Sequence, residues 1–427
     1  MGVCFMMKLK EPLLKAIGPG FLLAGAAIGV SHLVQATRAG ADYGFGLFWL
    51  LLLAIITKYP FLEFGPRYAA ASGSHLISGY KHLGKLPYQI YIFITVGTMF
   101  IIQAAVTVVT AGLAEHLFGL GFSPAVWSAL ILGLCIILLI MGRYPGLDIS
   151  MKVIISVLTI CTFAAVVIAL GAGTVRETLV ADTPSYWNLA GLAFIIAFMG
   201  WMPIPLDASV WHSIWSNARA RQTGYRPTIQ EARFDFNLGY GAAALIGLMF
   251  FLLGALIMFG SGKSFSASSV QFSAELIDLY GLTLGSWSAP LVSVAAFVTM
   301  FSTTLAVTDA YPRVLTEIRS TWQKKPLTYK QRKLTYNITI FIVPSIAVLI
   351  LTYLTGSFTV LVDFAAGLSF LAAPVLGWFN LKLVTSQYMP KEAHPTGAYL
   401  WFSYACLIFL ILFSGIYLYW RFMIGGG

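Results

Sequence analysis

The chain has 427 residues, 59% of them hydrophobic and only 10% charged, with a mean hydropathy of +0.83. A soluble domain cannot hide that much apolar surface, because a good part of its exterior must stay wet. The formal charge of +10 does not point to nucleic acid, because the basic residues segregate to one side of a membrane plan instead of forming a patch.

Two structures satisfy every backbone group inside a bilayer, the helix and the closed barrel. A barrel would show alternating segments of about ten residues. Here the apolar runs are continuous, as in 126–141 and 153–172, and long enough to approach the ~30 Å of a hydrocarbon core. The expected fold is therefore all-α and integral to the membrane, with spans at 13–38, 44–71, 88–113, 124–141, 151–173, 188–215, 238–259, 289–311, 335–354, 358–381 and 397–423. The first run follows Lys8, Lys10 and Lys15; it continues past any cleavage site into the second span and reads as a retained helix.

With the N-terminus inside, only Arg38, Arg176, Lys263 and Arg421 fall on the outer side. That asymmetry places the N-terminus in the cytoplasm and the C-terminus outside, in a membrane such as the bacterial inner membrane. The basic loop from Arg313 to Lys333 then serves topology and lipid headgroups. Cys4, Cys135, Cys161 and Cys406 stand singly and suggest packing, not a disulfide framework or a metal cluster. A short amphipathic stretch, 271–280, is expected to lie on the outer surface.

Two spans differ from the rest. The first carries Gly18-Pro19-Gly20 near its start and Gly29-Val30-Ser31-His32 midway, and the sixth carries Met202-Pro203-Ile204-Pro205 at its centre. Two prolines in three residues remove two donors and clash with the preceding turn, while Gly29 makes unwinding cheap. The interruptions are five spans apart, so 13–173 and 188–381 are expected to be inverted repeats, with 397–423 as an added helix. Paired breaks in corresponding positions are a pointer to a transporter's site; the plainer alternative is a pair of ordinary membrane-helix kinks.

At these residues the chain resembles a family. Gly18-Pro19-Gly20-Phe21-Leu22, Ala39-Gly40-Ala41-Asp42-Tyr43-Gly44-Phe45, Met202-Pro203 and Asp235-Phe236-Asn237-Leu238-Gly239-Tyr240 resemble the Nramp divalent-metal transporters over nearly the whole chain. The resemblance implies a LeuT-type fold, a 5+5 inverted repeat, unwound helices one and six, and alternating access. It also implies a substrate site around Ala26, Gly29, His32, Met199, Met202 and Asp207.

The family's functional residues transfer only in part. The helix-one Asp and Asn that bind metal in the family fall on Gly29 and His32, while the metal-binding Met is retained as Met202. The His and Asn that usually follow Met-Pro are Ile204 and Pro205, and the acids of helix three fall on Gln103 and Val106. Some basic character survives at Arg332-Lys333. A dication stripped of water needs compensating charge, and hard ions favour carboxylates. His32 and Met202 are softer donors that suit a late transition metal.

Each candidate has a plainer reading. His32 is a ligand or a histidine bonded to a carbonyl freed by the break. Asp207 is a replacement carboxylate or a helix cap. Met199 and Met202 are site residues or packing. Asp309 and Asp363 are coupling-ion candidates or partners of a basic residue such as Arg313. Gln103 reads as a cross-link between helices.

The expected function is metal transport without family-style proton coupling. The alternative is a small organic or anionic solute, favoured by half-helix N-termini stripped of fixed negative charge. No catalytic motif, phosphate loop or His-Glu-x-x-His is present, so no enzyme activity and no cofactor are expected. The expected partners are the solute or metal ion and the lipid bilayer, with no nucleic acid; a monomer suffices.

Overall fold

The computed structural model describes residues 15–142, 145–172, 184–323, 327–353 and 356–424, with backbone alone for 145–154, 172 and 424. Cys4, Lys8, Lys10 and Arg176 lie outside the described residues, as do the span bounds at 13, 173 and 354. Among the described residues there is no strand. The helices are α1 (Pro19–Ala27), α2 (Thr37–Tyr43), α3 (Phe48–Ser72), α4 (Leu76–Leu83) and α5 (Lys85–Phe118). Next come α6 (Pro124–Met141), α7 (Pro145–Ala172), α8 (Leu189–Trp201), α9 (Ala208–Thr223) and α10 (Ile229–Leu253). The last are α11 (Ser269–Leu284), α12 (Ser288–Trp322), α13 (Tyr329–Tyr353), α14 (Phe358–Val384) and α15 (Gly397–Tyr419).

Among the described residues, eight helical segments are long and apolar enough to cross a membrane, and α8 and part of α7 are shorter apolar helices. Large apolar side chains such as Phe93, Ile160, Trp401 and Leu412 point outward. In water that surface would drive association, whereas in lipid it costs nothing. The interior is equally apolar, so polar and small residues decide how the helices pack.

Glycines set the closest crossings. A Cβ on Gly20 would lie 2.0 Å from the Asp235 carbonyl oxygen, and one on Gly239 would lie 2.0 Å from the Gly20 carbonyl oxygen. Backbone thus touches backbone where α1 crosses α10. The Asp235 carboxylate accepts from the Gly18 and Gly20 amides at 2.9 and 2.6 Å. It thereby caps the N-terminus of α1 from a different helix.

One expectation is corrected here. The stretch 271–280 does not lie on a surface: it belongs to α11, which packs against α5, α12 and α7 and buries Phe272, Leu276, Ile277 and Tyr280. Its apolar stripe meets other helices and leaves only a narrow outer face.

Candidate functional site

The first span is interrupted where expected. α1 ends at Ala27, Ile28 departs from helical geometry, and the chain resumes as a π-helix over Ser31–Ala36 before α2. The amides of His32 and Leu33 restart the ladder on the Gly29 carbonyl at 3.0 and 2.9 Å. The sixth span is interrupted from Met202, which is extended at φ −85°, to Asp207 at the start of α9. The residue before a proline avoids helical geometry, and Pro203 and Pro205 together deprive the next turn of two donors. Pro60, Pro66, Pro312, Pro344 and Pro374 sit singly or well spaced inside continuous helices. The doubled proline marks the sixth span out.

The freed carbonyls are taken by a residue that the sequence reading did not single out. Lys58 of α3 is almost completely buried, and its Nζ donates to the Gly200 and Ile204 carbonyls at 3.0 Å each. The Asp207 carboxylate is within electrostatic reach of it. A lysine in the middle of an apolar span was the available signal, because such a residue must face a partner.

At the first break, Thr303 of α12 donates to the Gly25 and Ile28 carbonyls, both at 3.0 Å. The same threonine fills the space beside Gly29, where a Cβ would lie 2.7 Å from both its Cγ2 and its Oγ1. The position aligned with the family's aspartate therefore has no room for a side chain. Glycine is required there by packing as well as by the break.

His32 is fully buried, with Nε2 2.8 Å from the Ala243 carbonyl and Nδ1 2.7 Å from the Ser31 hydroxyl. A carbonyl can only accept, so Nε2 carries a proton; in the neutral ring Nδ1 then accepts from Ser31. Met202 comes from the other break to the same place. A Cβ on Gly247 of α10 would meet Met202 Sδ at 2.8 Å and His32 Cδ2 at 3.5 Å. A thioether and an imidazole edge thus both border the space that the missing Gly247 side chain leaves.

The other candidates are dispersed. Ala26 and Met199 are buried in the turns that lead into the breaks. Asp207 occupies the cap position of α9 without a side-chain capping bond. Tyr80, Tyr91 and Tyr311 are within its electrostatic reach, and the buried Tyr311 hydroxyl has no hydrogen-bond partner among the described residues. Asp309 accepts from Arg313 and Tyr336, each at 2.6 Å. Asp363 is held by Arg38 at 2.8 and 3.2 Å and by Gln35 at 2.9 Å. Gln103 joins α5 to α12 through Thr308 at 3.2 Å. Among the described residues no three His, Cys, Asp or Glu side chains converge as a metal site.

The family model described as natural resistance-associated macrophage protein-like (Nramp) matches residues 20–420. An uncharacterised protein of Pasteurella multocida (strain Pm70) is 35% identical over 94% of this chain and 92% of its own length. A divalent metal cation transporter MntH of Staphylococcus aureus is 22% identical over 70% of this chain and 68% of its own. Among solved structures, a manganese transporter of Eremococcus coleocola superposes with a TM-score of 0.69 at 15% identity, covering 97% of this chain and 89% of that one. MhsT in complex with L-phenylalanine superposes at 0.63 and 18% identity, over 93% and 97% of the two chains. Mhp1, a nucleobase-cation-symport-1 family transporter, superposes at 0.57 and 13%, over 95% and 92%. These structures share the LeuT-type fold that the family resemblance implied.

Proposed function

This chain belongs to the Nramp family of membrane transporters, and on that premise we propose that it is an alternating-access carrier of a soft, late transition-metal ion. The ion is handled by His32 and Met202 between the two breaks, and 13–173 and 188–381 act as the two moving repeats. One observation carries this reading: Met202 Sδ and the Cδ2 edge of the His32 ring both border the space beside Gly247, at 2.8 and 3.5 Å from where its Cβ would stand. These donor types favour late metals over magnesium or manganese. The relative named as a divalent metal cation transporter supports the cargo class.

For His32 to bind, Ser31 must release Nδ1, because Nε2 is committed to Ala243. Ser31 has an alternative acceptor in the Ala27 carbonyl at 2.9 Å, so that exchange needs only a rotation of its hydroxyl. Gln103 and Val106 have no ionisable group to release a proton at the family's acidic positions, so uptake does not follow the family's proton route. The basic end of the bundle faces the cytoplasm.

A specific observation favours a second reading, a small organic or anionic solute. Lys58 Nζ already takes the carbonyls of the sixth break that a cation would otherwise use, and Thr303 closes the space for a carboxylate at Gly29. Both features disfavour a dication and tolerate an anion.

Proteoliposome uptake with manganese, iron, cobalt, nickel, copper and zinc separates the two, run beside thermal melts with a panel of small carboxylic acids. Saturable uptake of a late metal, lost in His32→Ala and Met202→Leu and indifferent to a proton gradient, is expected. No flux with any metal, together with a melt shift from a small acid, would overturn the metal reading and establish the second.

A further inference from the structure

At the basic end, two adjoining cavities open between α4, α9, α12 and α13. One has a volume of about 840 Å³ and the other about 400 Å³, and Arg221, Glu317 and Arg332 line both. Lys81 lines the first, and Arg313 and Lys333 line the second. Five Lys or Arg side chains therefore face two carboxylates, Glu317 and the Asp309 behind Arg313.

The carboxylates are already engaged. Glu317 is bound by Arg332 and by His75 Nε2, the latter at 3.2 Å, and Asp309 is bound by Arg313 at 2.6 Å. Lys81 Nζ meets the neutral Thr321 carbonyl and, among the described residues, no carboxylate. Arg221 and Lys333 are exposed and, among the described residues, form no ion pair with a carboxylate. Arg221 attracts Glu317 without closing an ion pair on it, so five basic side chains against two carboxylates leave the cavities with an excess of positive charge.

We propose that this end of the protein binds a phosphate-bearing anion, with Arg221 and Lys333 as its charged contacts and Arg332 as a third donor. Guanidinium groups match phosphate oxygens in pairs, and the hydroxyls of Ser74, Ser78 and Ser320 line the larger cavity as further donors. The smaller cavity has one apolar wall, formed by Leu139 and Ile140 at the end of α6, and Ile140 is 48% exposed on the lipid-facing side. A phosphate at this place can belong to an acidic lipid whose chains run along α6, or to a soluble phosphate. Basic pockets between membrane helices suit either source of charge. The site does not depend on which cargo the helix breaks carry.

The test uses the full chain, purified in neutral detergent and in nanodiscs. Melting is followed with inorganic phosphate against sodium chloride at equal ionic strength, and in phosphatidylcholine against phosphatidylcholine with phosphatidylglycerol. The variant is Arg221→Ala/Lys333→Ala, at two exposed positions outside every ion pair among the described residues. The expected result is a rise of several degrees with phosphatidylglycerol, phosphate or both, at least halved in the variant, with native mass spectrometry showing fewer retained acidic lipids. Stabilisation by the lipid alone identifies the headgroup as the ligand, and stabilisation by free phosphate as well identifies the phosphate group itself. Equal shifts from chloride, no shift from either probe, or a shift that the variant keeps would each overturn the proposal.

Discussion

Replacing Lys58 by methionine keeps most of the aliphatic stem and removes the donor. The Gly200 and Ile204 carbonyls, each 3.0 Å from Nζ, would then face an apolar thioether. Each buried acceptor left without a donor costs about 1–3 kcal/mol. Part of that is recovered because the amine need no longer be desolvated, while the Asp207 carboxylate loses the longer-range attraction of Lys58. A net loss of about 3 kcal/mol is expected, equivalent to roughly a hundredfold in the opening equilibrium of the break.

Two measurements read this in detergent-solubilised protein, the thermal midpoint and amide exchange over residues 202–210. Lys58→Met should lower the midpoint and speed exchange at the break, with distant helices unchanged. Lys58→Met/Asp207→Asn should lose less than the sum of the single changes, because the orphaned carboxylate is gone, with a coupling of about 1–3 kcal/mol. A Lys58→Met protein with the parental midpoint and unchanged exchange would refute the assignment of Lys58 as the donor that holds the sixth break.

Three further outcomes are expected. Gly29→Asp should destabilise the fold and fail to create a metal site, because Thr303 occupies the new Cβ position; Gly29→Asp/Thr303→Ala should melt higher than the single change, and a well-folded Gly29→Asp protein in a melt assay would contradict that packing. Gly247→Ala should displace the Met202 thioether, whose Sδ would lie 2.8 Å from the new methyl, and so lower cargo affinity in the uptake assay more than it lowers the melting midpoint. Arg38→Ala and Asp363→Ala should be strongly non-additive in melts, with a coupling of about 1–3 kcal/mol, because the two form a bidentate, partly buried pair; simple additivity would dissolve it.

The membrane class, the run of spanning helices and the two breaks follow from the sequence itself. Continuous apolar runs admit only helices in lipid, and a doubled proline at 203 and 205 leaves the sixth span little choice. The family was equally legible, because Gly18-Pro19-Gly20 and Gly239, among the residues that carry the resemblance, sit where backbones touch and a side chain would collide. The aspartates were less so. Asp309 and Asp363 each stood between two readings, and only folding brought Arg38, 325 residues away, onto Asp363.

The chemistry between the breaks was decided by tertiary structure. Lys58 and Thr303 come from α3 and α12, far along the chain from the residues they serve, and neither carries a local pattern that announces its target. A sequence can show where a helix must come apart, because proline and glycine act on their own neighbours. Which donors reach the opened backbone, and whether space remains there for a carboxylate, depends on helices packed across the bundle.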